Sequence, residues 1–143
     1  MEPAIFGPLD TFLAPVIEDV IFVLVLVNLG TRLVAHRSYL SQAEAGAESV
    51  SRHLGHEASN VVLMLASFYF LTLHHHAGIV LSTLVIGMII TDFFEFESRQ
   101  VEVRNDLDLE RPKGAMAASV LVVAYAFFLS LFSLIQPYWD AII

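Results

Sequence analysis

The 143-residue chain contains no cysteine. Disulfides, thiolate metal centres, iron–sulfur ligation and cysteine nucleophiles are therefore excluded. Lysine is almost as scarce: Lys113 stands alone beside six arginines, and no cation precedes Arg32. Without a basic leader the start of the chain does not read as a signal peptide. Charge of any sign is sparse, at 15% of residues, where a soluble domain carries about a quarter. Seven basic residues against fifteen acidic ones leave a formal charge of −8. Nucleic acid and anionic membrane surfaces attract clustered cations, so neither is a natural partner. Glycine-rich phosphate loops and nucleophile–base–orienter sets are also missing, so no catalytic residue and no cofactor is expected.

What the chain does have is apolar length. Hydrophobic residues make up 57% of it, with a mean hydropathy of +0.70. The charges fall in blocks between long apolar runs. This pattern predicts an all-α, polytopic membrane protein: a four-helix transmembrane bundle forming a single domain over 1–143. The first run, 16–35, matches a bilayer core at the helical rise. The last, 115–136, is framed by Pro112 and Pro137, where helix boundaries tolerate proline. Two shorter runs, 58–73 and 77–94, read as antiparallel spans joined at His74-His75-His76-Ala77-Gly78, with Gly78 available as a left-handed cap. A re-entrant hairpin is the alternative there, at the cost of placing three histidines near mid-bilayer. Residues 1–15 carry Pro3, Pro8 and Pro15 among apolar side chains and read as a short interfacial segment.

Every basic residue lies in or beside the connections 36–57 and 95–114. The positive-inside rule makes both connections cytoplasmic and both termini external. Trp139, the only tryptophan, then follows Pro137 as an outer interfacial anchor. Ala43 to His56 is rich in helix formers, which predicts that the second helix starts before the bilayer. Glu95 and Arg99 form an i,i+4 pair in the favourable order.

Three stripes of polar residues converge at the cytoplasmic ends: Asn28, Arg32 and His36; His53, Glu57 and Asn60; and Asp92, Glu95 and Arg99. Arg32 at that depth requires a carboxylate, with Asp92 and Glu57 as the candidates. The structural reading is a network that locks the bundle. The functional reading is an ion or proton site, since these residues with His56 include nitrogen and carboxylate ligands. His74, His75 and His76 are the outer candidates for a metal or pH-responsive group, with Glu18 and Asp19 nearest. Solvated interfacial histidines are the simpler reading of them. Small residues recur at Thr83, Gly87 and Thr91 and at Ala115, Ser119, Ala126, Ser130 and Ser133. These stripes are assigned to packing within the bundle rather than to a partner surface.

With Thr91-Asp92-Phe93-Phe94-Glu95-Phe96-Glu97, Glu110-Arg111-Pro112-Lys113-Gly114-Ala115 and Ser41-Gln42-Ala43-Glu44 in place, the chain resembles a family of uncharacterised small membrane proteins of halophilic archaea. The likeness runs from Asn28 through Trp139. It implies a cell-membrane location in a high-salt organism, which suits acidic, lysine-poor loops, and it carries no activity or site. The expected role is a non-enzymatic accessory or scaffold subunit, partnered by the lipid bilayer and by other membrane subunits or further copies of itself. The alternative is a metal-binding or proton-responsive membrane protein.

Overall fold

A computed structural model describes residues 7–142, and residues 1–6 of the expected interfacial segment lie outside them. A short helix α1 (Pro8–Phe12) and a 3-10 turn (Ala14–Val16) lead into four long helices: α2 (Ile17–Glu44), α3 (Leu54–Leu73), α4 (His75–Arg104) and α5 (Lys113–Ile142). No strand occurs among the described residues. The fold is all-α. Helix α2 packs against α3 and α5, and α4 packs against the same two, so the long helices close an up-and-down ring.

Spacings of three and four residues set what faces inward. Helix α5 buries Ala115, Ser119, Val122, Ala126 and Leu129, and α3 buries His56, Asn60, Leu63, Ser67 and Phe70. A mean step near 3.5 keeps one seam turned to the neighbours along the whole length. The apolar core is built from Ile17, Ile21, Val25, Leu63, Phe70, Leu81, Val85, Met88, Val122, Ala126 and Leu129. The outer faces are just as apolar: Val23, Leu26, Val61, Leu65, Ile86, Ile90, Leu121 and Phe128 are all exposed. Apolar side chains thus cover the outside as well as the core, unlike the polar surface of a soluble bundle.

Three stretches, Pro8–Glu44, His75–Arg104 and Lys113–Ile142, are long and apolar enough to cross a membrane. Helix α3 falls short of that standard because His56, Glu57, Ser59 and Asn60 occupy its first two turns.

Several local expectations are overturned. The connection after α2 is not the start of the next helix. Helix α2 itself continues to Glu44, Gly46 at φ +84° breaks the chain, and α3 begins only at Leu54. The irregular segment docks through side-chain amides. Gln100 receives the Val50 amide at 2.9 Å and donates to its carbonyl at 2.6 Å, while Gln42 accepts from the Ser51 amide at 2.9 Å. Val50 thereby joins a second apolar cluster with Ala35, Tyr39, Phe96 and Val103. At the other end, His74 alone separates α3 from α4, with φ −135° and ψ 97°. Gly78 is not a left-handed cap but sits in the first turn of α4. Helix α5 does not stop at Pro137 and runs on to Ile142. Proline there forgoes one helical bond, at a level where nearly every side chain after Leu131 is already exposed.

The small-residue ladder of α4 also faces the wrong way for packing. Thr83 and Gly87 are exposed and Thr91 is only half-buried, whereas Leu81, Ser82, Val85 and Met88 turn inward.

The glycine that close packing does need is Gly78. A Cβ there would stand 2.3 Å from Leu71 Cα, in backbone that has no room to yield. Gly78→Ala is expected to destabilise the bundle by about 2 kcal/mol or more, as overpacking does. Gly87→Ala meets open space and should be neutral or stabilising by up to about 1 kcal/mol. Equilibrium unfolding of both variants in detergent checks the contrast.

Candidate functional site

The buried charged groups gather at the end of the bundle that carries the two long connections, and most of the buried polar ones lie with them. Arg32 projects from the inward seam of α2 and is only 2% exposed. Its guanidinium forks onto Asp92 of α4, with Nε at 3.4 Å from Oδ1 and Nη2 at 3.3 Å from Oδ2. The remaining terminal nitrogen, Nη1, donates to Ser119 Oγ on α5. Asp92 completes the ring on α3, where Oδ2 lies 2.5 Å from His56 Nε2 and accepts from Asn60 Nδ2 at 3.0 Å. Asn28 donates to Asn60 Oδ1 at 2.7 Å and to Ser59 Oγ at 3.1 Å. Thr31 Oγ1 lies 2.9 Å from His56 Nδ1 and 2.9 Å from the carbonyl of Asn28. A carboxylate with several donors on it, held against a guanidinium, is how a charge pair is kept in an apolar interior.

The three sequence stripes contribute unequally. Asn28, Arg32, Asn60 and Asp92 meet in this cluster. Glu57 does not reach Arg32; it pairs with Arg52 at 3.4 Å on the rim. Arg52 also reaches Glu97 at 3.5 Å and lies over the Phe96 ring at 4.2 Å. His53 caps α3, its Nδ1 accepting from the His56 amide at 3.0 Å. Glu95 does not pair with Arg99. Its Oε1 accepts from the amides of Gly114 at 2.6 Å and Ala115 at 3.1 Å. That places a carboxylate on the exposed amides and positive dipole end of α5. Gly114 permits the approach, since a Cβ there would come within 2.7 Å of Glu95 Oε1. Arg99 instead donates to Glu102 Oε1 at 2.9 Å and to the Glu110 carbonyl at 2.6 Å, pinning the α4–α5 connection.

His56, Thr31 and Ser59 are members that the sequence stripes passed over. The inward seam 56, 60, 63, 67, 70 marks His56, because a step of four followed by three returns to the same face. Thr31 lies half-buried beside that seam and carried no periodic signal.

Below this cluster lies a cavity of about 20 Å³ for a water-sized guest, lined by Arg32, His36, His56, Asp92, Glu95 and Arg99 among others. Two polar atoms buried here have no protein partner: Glu95 Oε2 and Arg99 Nε. A third such atom, Asn28 Oδ1, lies deeper.

The remaining candidates lie elsewhere. His74 approaches Glu18 at 3.5 Å, and His75 and His76 are exposed. Asp19 accepts from Ser130 Oγ at 2.5 Å. Among the described residues no three His, Asp or Glu side chains come together in a way that could hold a metal ion. On α5, Ala115, Ser119 and Ala126 are buried, with Ser130 and Ser133 partly so.

His36 lines the cavity and forms no hydrogen bond with the cluster. Burial is the main reason its pKa lies below the usual 6.5, and the Arg99 and Arg111 charges push the same way against Glu102. A histidine whose folded pKa is depressed binds fewer protons folded than unfolded. The stability it contributes is complete above pH 6.5 and is lost as pH falls towards the folded value. Thermal stability in detergent is therefore expected to fall between about pH 7 and about pH 5, and His36→Gln should flatten part of that slope.

No curated protein and no solved structure matches the chain. A family model described as a domain of unknown function (DUF7313) matches residues 2–143, and the chain belongs to that family.

Proposed function

We propose that this chain is a multi-pass protein of the cell membrane that serves as an accessory or scaffold subunit of a larger assembly. In this reading α2, α3, α4 and α5 all span, both connections are cytoplasmic and both termini are external. The apolar outer faces and the polar interior support a bilayer surrounding. The arginines and the single lysine, confined to the two connections and their flanks, support the orientation. Helix α3 makes the fourth crossing because its 20 residues extend roughly 30 Å and its polar first turns face the interior.

One observation carries the accessory role: the small-residue face of α4 points away from the bundle. Thr83 and Gly87 lie one turn apart on an apolar exterior beside Ile86 and Ile90. In lipid, small residues let a second helix backbone approach closely, and packing takes the place of the hydrophobic drive. The partner that suits this face is an apolar transmembrane helix from another subunit or a second copy.

The expected result in gently solubilised native membranes is a stoichiometric complex that Gly87→Leu dissociates. Gly30→Leu, which also enters open space, should leave it intact. A partner-free monomer, or a complex indifferent to Gly87→Leu, would contradict the assignment. Orientation is tested with single cysteines at Ser41, Ser98 and His76, all exposed in a cysteine-free chain. An impermeant maleimide added to intact cells should label only the third.

A further inference from the structure

The Thr31 hydroxyl has one hydrogen and two neighbours at equal range, the Asn28 carbonyl and His56 Nδ1, each at 2.9 Å. It can donate to only one of them. If Thr31 donates to the ring, Nδ1 is an acceptor, Nε2–H points at Asp92, and the imidazole is neutral. If Thr31 donates to the carbonyl, its lone pair faces Nδ1 and receives an N–H. With Nε2–H still on Asp92, the ring is then an imidazolium. Both wirings satisfy every ring nitrogen, and they differ by one proton and the rotation of one hydroxyl. Asp92 is an acceptor in both, because Oδ2 is already approached by Asn60 and Arg32.

From this geometry we propose that His56 and Asp92 form a reversible proton-binding site, open to the solution on the side of the two long connections. The proton arrives as hydronium and leaves water behind. It forms an N–H bond at Nδ1, and the hydrogen of Thr31 turns to the Asn28 carbonyl. The charges around the ring allow both states. Helix α2 presents Arg32 and His36, and α4 presents Asp92, Glu95 and Arg99. On its own helix Glu57 is paired with Arg52, while His53 is the cap. Helix α5 faces the cluster with the Ser119 hydroxyl. Arg32 cancels Asp92, Arg99 is taken by Glu102 and Glu95 lies on the amides of α5, so loading the site adds one positive charge directly against a carboxylate.

A cavity lies beside His56. Its lining includes His56, and its volume of about 20 Å³ exceeds the roughly 10–15 Å³ that one water needs. The two unpartnered atoms beside it are complementary: Arg99 Nε is a donor and Glu95 Oε2 an acceptor. Arg99 is itself only 6% exposed. With two arginines against three carboxylates at the lining, a neutral guest suits it better than an anion.

The experiment uses the full chain with ¹⁵N-labelled histidine in lipid nanodiscs, with the His56 ring signals identified by their loss in His56→Gln. Between about pH 5 and about pH 9 the His56 ring should pass from imidazolium to a neutral form protonated at Nε2. Thr31→Val keeps the shape and removes both the acceptor for Nδ1–H and the donor to the neutral ring; the bond to the charged ring is the stronger of the two, so proton binding should weaken severalfold. Thr31→Ser should restore it. Glu95→Gln, which retains an acceptor for the α5 cap, should slow hydrogen exchange at the ring. A His56 ring that holds one state across the range, which needs no variant to observe, would overturn the proposal. So would a Thr31→Val midpoint equal to that of the parent chain.

Discussion

A guanidinium with 2% exposure inside a bundle whose outer faces are also apolar has no solvent to turn to. Arg32 must find its counter-charge and its acceptors within the protein, and they come from each of the other long helices. Asp92 brings α4, Ser119 brings α5, and through Asp92 the side chains of His56 and Asn60 bring α3. Moving any one helix leaves a buried charge or donor unmatched, which costs more than an ordinary apolar contact. In a lipid surrounding, where helices gain little from hydrophobicity alone, such a junction fixes depth and rotation together.

The two ends of the bundle are then built differently. Towards the His74 turn the interior is uncharged, with only the hydroxyls of Ser67 and Ser82 among apolar side chains, and the helices approach closely, with Gly78 against the backbone of Leu71. Towards the long connections the interior is charged, and it is braced by contacts between residues far apart in the sequence. Glu95 caps α5, Arg99 holds the carbonyl of Glu110, and Gln100 pairs with the backbone of Val50. The cavity lies beside the junction, with Glu95 and Arg99 in its lining. This is why the same end holds the packed charge pair and the polar atoms that protein groups leave unmatched.

Much of the helical content was legible, because runs of fifteen or more uncharged residues leave few alternatives to helix. The two rows read at strict i,i+4, Asn28–Arg32–His36 and Thr83–Gly87–Thr91, were less reliable. Each such step advances a residue by about 40° around the helix, so a row that begins inside soon leaves the interior. That drift carries His36 to the side while Ala35 and Tyr39 take the seam. It likewise leaves Thr83 and Gly87 outside while Thr91 comes close to Gly114. The carboxylate needed by Arg32 was foreseeable from energetics, but the choice between Asp92 and Glu57 was not. It depends on Arg52, an irregular-segment residue that engages Glu57 at the rim. Side-chain capping of α5 by Glu95 was hidden by the local i,i+4 pattern with Arg99, which the geometry does not use.

A double-mutant cycle on Arg32 and Asp92 tests the junction most directly, using Arg32→Met and Asp92→Leu so that bulk is retained. Reversible unfolding in bicelles should show each single substitution costing about 3–5 kcal/mol, because each leaves the other charge buried and alone. The double substitution should cost far less than the sum of the two, with a coupling of at least about 2 kcal/mol. Losses that add to within about 0.5 kcal/mol, as they do for independent sites, would mean that the two residues act separately and that the bundle does not depend on their pairing.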